Sequence, residues 1–132
     1  MIALDTNVVV RYIAQDEPRQ SALANRLLEN VLTAENPGFI PLVTVCEIAW
    51  VLEECYAADR ARVRKVVEEL LRTRQLEVES AELVWKALRA WQGSSADLSD
   101  AIIGQVALAR GAAKVVTFDK AAAKLPSFEL LG

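Results

Sequence analysis

Ile2-Ala3-Leu4-Asp5-Thr6-Asn7-Val8-Val9-Val10-Arg11-Tyr12 opens the chain and sets the pattern of its architecture. Ile2 to Leu4 is a short apolar run that reads as a buried strand and ends at an acid. Positions 6–14 then read as a helix, so strand passes to helix through Asp5. The alternation continues. Glu17-Pro18 precedes a stretch in which Ala24, Leu27, Leu28, Val31 and Leu32 hold helical spacing. Asn36-Pro37-Gly38 stops that helix, and Phe39 to Val43 reads as a strand. Ile48, Val51, Leu52, Cys55 and Tyr56 repeat the helical spacing, as do Val63, Val66, Val67, Leu70 and Leu71. Leu76 to Val78 reads as a short strand, and Val84, Ala87, Leu88 and Trp91 mark another helix. After a loop at Gly93 to Ser95, a helix from about 98 to 110 is closed by Gly111. Lys114 to Phe118 and Phe128 to Leu130 read as the last strands. Short apolar strands separated by helices predict an α/β domain with a mostly parallel central sheet of about four to five strands flanked by helices.

The chain has 132 residues, 53% hydrophobic and 25% charged, values of a folded protein with a real core. A single domain over 1–132 is expected, with no repeat or linker. No apolar run approaches the roughly 20 residues that span a bilayer. Met1 to Asp5 leads straight into the structured pattern, so no signal peptide and a cytoplasmic location are expected. Cys46 and Cys55 lie nine positions apart in one predicted helix, too far for a disulfide, and read as two small buried thiols. The chain has no histidine. Ser-His-Asp and Cys-His catalysis are therefore excluded, as are histidine-based zinc sites. An enzyme built from these residues works with carboxylates, amines, hydroxyls or a hard metal ion. The net charge of −3 does not advertise nucleic-acid binding, but a divalent cation can reverse the field in one cleft.

Five acids stand out: Asp5, Glu47, Asp97, Asp100 and Asp119. Each has an ordinary structural explanation. Asp5 and Asp119 sit at strand-to-helix junctions, where Asp caps helices. Thr44 and Glu47 have capping-box spacing, and Asp97 with Asp100 fits a cap followed by a first-turn acid. Their placement as a set points elsewhere. In a parallel sheet the C-terminal strand ends share one edge, where ligands bind. Asp5, Glu47 and Asp119 follow such ends. Two carboxylates about 5 Å apart repel by roughly 3 kcal/mol at an effective dielectric of 20, more than the ~1 kcal/mol a cap returns. A hard divalent cation, Mg²⁺ or Mn²⁺, would offset that repulsion. Such a cation also suits phosphoryl chemistry without histidine.

The string Leu4 to Tyr12 closely resembles the opening of PIN-domain proteins, specifically the VapC toxins of bacterial toxin–antitoxin pairs. Three further matches follow in order: Glu47 after the second strand, Ala96-Asp97-Leu98-Ser99-Asp100-Ala101-Ile102-Ile103, and Thr117-Phe118-Asp119. The resemblance spans nearly the whole chain and implies a PIN fold and an Mg²⁺- or Mn²⁺-dependent endoribonuclease. It also implies a homodimer and a VapB-type antitoxin that blocks the site. By this resemblance Asp5, Glu47, Asp100 and Asp119 take the family's metal-site positions, and Asp97 matches an extra acid. Asn7 and Thr117 match polar positions that support the site by hydrogen bonding, or serve local turn chemistry. Arg11 is placed to reach substrate phosphate, to pair with an acid, or to lie on a solvated helix face.

Other features have plainer readings. Trp50, Trp85 and Trp91 share helical spacing with Leu and Val, which favours core or dimer packing over base stacking. Arg60, Arg62, Arg64 and Lys65 read as the solvated face of an amphipathic helix. Two rival functions remain. An Asp-dependent phosphatase should carry Asp-x-Asp after the first strand, but position 7 is Asn. A receiver-like domain should carry an Asp after a middle strand, but Thr44 follows Val43. An inactive PIN-fold interaction module is the other alternative, and the intact acid set argues against it.

Overall fold

The computed structural model describes residues 1–132, which fall into two compact units, Met1–Glu79 and Ser80–Gly132.

The first unit begins with strand β1 (Ile2–Ala3), then helices α1 (Thr6–Ala14) and α2 (Pro18–Arg26). Strand β2 (Gly38–Ile40), helices α3 (Leu42–Tyr56) and α4 (Arg60–Arg72), and strand β3 (Leu76–Val78) complete it. The strands form a parallel sheet in the order β1-β2-β3, with Ile2 beside Gly38 and Gly38 beside Leu76. Because β1 lies at the sheet edge, Ile2 is exposed, and burial begins at Leu4. Val9, Leu28, Ile40, Ile48 and Val63 are fully buried. Each comes from an apolar position of the helical or strand pattern. α1 packs against α2 and α3, and α4 against β3. Gly38 is required at the centre of the sheet. A methyl group there would stand 2.7 Å from a Leu32 methyl, 3.0 Å from Leu4 and 3.1 Å from Leu76.

Local chemistry explains the boundaries. Glu17 caps α2 by accepting from the Gln20 amide at 2.5 Å, and Pro18 occupies the first helical position. α2 runs into one π turn, Leu27–Val31. The strand expected over Phe39 to Val43 stops at Ile40. Pro41 removes a ladder donor and stands at the N-cap position of α3. Val43 is accordingly helical and 70% exposed.

The second unit pairs helices α5 (Ala81–Trp91) and α6 (Leu98–Ala109), which pack along each other. Strands β4 (Val115–Thr117) and β5 (Phe128–Leu130) follow, parallel to one another and linked through a 3₁₀ turn at Ala122–Lys124. Val84, Ala87, Trp91, Leu98 and Ala122 are buried. Gly104 admits the edge of the Phe128 ring, which would stand 2.7 Å from any Cβ at that position. All five strands have parallel partners, but they are hydrogen-bonded as a set of three and a set of two. A mostly parallel central sheet of about four to five strands was expected, and the five parallel strands agree with that fold class. Strands of two or three residues offer few ladder bonds, so the sheet's extent is set by packing rather than by strand pattern.

One smaller expectation is corrected. Cys55 is exposed and Cys46 half-buried; nine positions are about two and a half helical turns, so the two lie on opposite faces of α3 and one stripe cannot cover both. Of the tryptophans, Trp91 is a core residue, and Trp50 is 61% exposed on α3, which leaves its expected core or dimer packing without a core partner.

Candidate functional site

The first unit holds Asp5 and Glu47. Asp5 is the N-cap of α1, and its Oδ1 accepts from the Thr6 amide at 2.8 Å. The Thr6 hydroxyl reaches the other way and donates to Glu47 Oε1, also at 2.8 Å. A single residue at the start of α1 thus links the acid after β1 to the acid on α3. Glu47 plays no capping role. The capping box expected with Thr44 does not form, since α3 begins three residues earlier and buries Thr44 within it. Glu47 is exposed, with no backbone amide to serve.

The second unit holds Asp97, Asp100 and Asp119. Asp97 occupies the N-cap position of α6, yet its side chain makes no capping hydrogen bond. Asp100 lies in the first turn of that helix. Burial pushes the Asp100 carboxyl above its ordinary range, and the negative charges of Asp97 and Asp119 push it further. Asp119 Oδ1 accepts from the amides of Ala121 at 2.8 Å and Ala122 at 3.2 Å. The Thr117 hydroxyl accepts from the Asp119 amide at 3.0 Å. Thr117 therefore takes part in the local turn beside Asp119.

None of the five acids is neutralised by a basic side chain. Ion pairs instead engage Asp16, Glu68 and Glu129. No three acids or cysteines form a finished metal cage. What the chain offers is a donor set: carboxylate oxygens only, several unsatisfied, one held at raised proton affinity by burial and then by its charged neighbours. That chemistry fits a hard, oxygen-preferring cation and fits neither zinc-thiolate nor imidazole coordination.

Arg11 is held in place rather than free on a helix face. Its Nε donates to Gln20 at 2.6 Å and its Nη1 to the Tyr56 hydroxyl at 3.3 Å. Tyr56 donates in turn to Asp16 at 2.9 Å, which lifts the phenol above its ordinary range. Asp16 stands 3.8 Å from Arg11. Asn7 makes no side-chain hydrogen bond and faces open cavities. The basic run on α4 is the solvated face expected of it, with Arg64 bonded to Glu68 at 2.9 Å.

Sequence reasoning missed Thr6, Asp16 and Tyr56. Thr6 had a visible signal, since a hydroxyl directly after a capping acid can turn toward a second group. The partnership of Tyr56 with Asp16 spans 40 positions and left no local trace.

Parallel strands with intervening helices define an α/β domain. The PIN domain family model matches residues 2–127, and the chain belongs to the PIN-domain family. No curated protein matches the chain.

Proposed function

We propose that this PIN domain is a metal-dependent endoribonuclease of the VapC type. The observation that carries the reading is the unneutralised acid set: no basic side chain pairs with Asp5, Glu47, Asp97, Asp100 or Asp119, and partly buried Asp100 feels the charges of Asp97 and Asp119. A protein tolerates such repulsion when a bound cation relieves it. The PIN match runs through the boundary at Glu79–Ser80, which supports treating both units as parts of one functional domain.

Asp5, Glu47, Asp100 and Asp119 are the metal-holding acids, with Asp97 as a further contributor, and Mg²⁺ or Mn²⁺ as the ion. When bound, the cation supplies an activated water and neutralises charge on the phosphate. The chain's own contribution is positional. Asp5 and Asp119 each commit one oxygen to backbone amides, which fixes the carboxylate and leaves the other oxygen available. Thr6 does the same for Glu47. Asp97 and Glu47 spend nothing on caps. The substrate is RNA, with a VapB-type antitoxin and a second copy of the chain as partners. No helix is long and apolar enough to cross a membrane, which agrees with action on RNA in the cytoplasm.

The test is cleavage of total RNA with Mg²⁺ or Mn²⁺, with and without chelator. Cleavage is expected only with free metal, and is expected to vanish in Asp5→Asn and Asp100→Asn. Cleavage that persists in chelator, or full activity in both variants, overturns the reading.

A further inference from the structure

A cavity of about 480 Å³ runs from Asp5 along α1 to the end of α3. Its size lies within the roughly 300–1,000 Å³ range of small-ligand sites and suits one nucleotide. One end is Asp5, the candidate metal acid. Val10 and Val51 give it apolar surface, and Asn7, Arg11 and Tyr56 give it polar groups.

Arg11 is the unusual member. Its Nε and Nη1 are engaged by Gln20 and Tyr56, but Nη2 has no protein acceptor. Its one ion pair, with Asp16, is at 3.8 Å and half open to solvent, so it adds little to stability. The network therefore orients a guanidinium without consuming it. Tyr56 accepts from Arg11 through an oxygen lone pair while its own proton goes to Asp16. Asn7 likewise has both donor and acceptor unspent. A guanidinium with an open edge suits a phosphodiester oxygen, and the tyrosine ring beside valine methyls suits a base.

We propose that this cavity seats the nucleotide adjoining the bond that is cut, with Arg11 on its phosphate and Tyr56 and Asp16 positioning Arg11. The inference rests on the ribonuclease reading and extends it to a substrate subsite.

The test is binding of a fluorescein-labelled, random-sequence octaribonucleotide, read by anisotropy in chelator at several salt concentrations. Arg11→Ala and Arg11→Gln are expected to weaken binding about tenfold. They should also lower the slope of log affinity against log salt by about 0.7, the share of one single-strand phosphate contact. Arg74→Ala, which removes an exposed charge elsewhere in the unit, should change affinity less than twofold. Tyr56→Phe should weaken binding about three- to tenfold with an unchanged melting temperature. In the double variant its effect should disappear, because Arg11 is already gone. Arg11 variants that bind like Arg74→Ala, or effects of Tyr56 and Arg11 that simply add, overturn the subsite. If the wild type still cleaves RNA in that case, the nuclease reading stands alone. If the wild type neither binds nor cleaves RNA, both fall.

Discussion

Asp5 has two roles that substitution can separate. As a cap it accepts one amide bond, from Thr6, the first helical residue. Asp5→Ala removes that bond, a loss of about 0.5–1 kcal/mol at the lower end of measured caps because only one amide is served. Unfolding entropy near 2.1 cal/mol/K per residue gives about 0.28 kcal/mol/K for 132 residues. The Ala variant should therefore melt about 2–4 °C below the wild type in chelator. Asp5→Asn keeps the acceptor oxygen, and Asn caps about as well as Asp, so it should melt within about 1 °C of the wild type. Metal reverses the comparison. Mg²⁺ at tenfold over its dissociation constant adds about 1.4 kcal/mol, or about 5 °C, to a protein that binds it only when folded. The wild type should show that shift and Asp5→Asn should lose it. Differential scanning fluorimetry with and without Mg²⁺ reads all four numbers. A full metal shift in Asp5→Asn would falsify the metal role, and equal melting of the Asn and Ala variants in chelator would remove the cap.

Further outcomes follow from the same geometry. Asp97 makes no side-chain cap bond, so Asp97→Ala should cost less stability in chelator than Asp5→Ala, again read by melting temperature. Asp100 has a raised carboxyl in the folded chain, so the folded state keeps a proton that the unfolded state has lost. Metal-free stability should fall as pH rises from the ordinary carboxyl range through the raised value, and Asp100→Asn should flatten that slope and stabilise the chain at pH 7. A pH series of melts in chelator checks the sign; an Asn variant weaker at pH 7 contradicts it. Thr6→Ala frees Glu47 and should lower metal affinity or cleavage about 10–100-fold, as for other groups that orient metal ligands, while Thr6→Ser should retain most of both. Gly38→Ala forces a methyl among three buried leucines and should cost about 1–3 kcal/mol, visible as a lower urea midpoint with an unchanged slope.

Local chemistry alone determined much of this protein. Asp5, Asp97 and Asp119 follow short apolar runs or loops and precede helical or turn segments, so their places at element starts were legible from residue type and spacing. The helix starts at Thr6, Pro18 and Leu98 were legible for the same reason, as were the strands at Leu76–Val78 and Phe128–Leu130. The absence of histidine restricted the chemistry before any fold was known. Where local signals competed, the pattern misled. Thr44 and Glu47 match a capping box, but Pro41 had already stopped the strand and opened the helix. Tertiary structure decided which acids are spent and which remain open. It gave Glu47 a partner in Thr6, 41 positions away, and raised the proton affinity of Asp100 by burying it and setting it near Asp97 and Asp119. It also turned Arg11 from a charge on a helix into an oriented guanidinium. Capping depends on neighbours a few residues apart, which a sequence displays. Charge repulsion and long-range hydrogen bonds depend on distances in space, which only the folded chain sets.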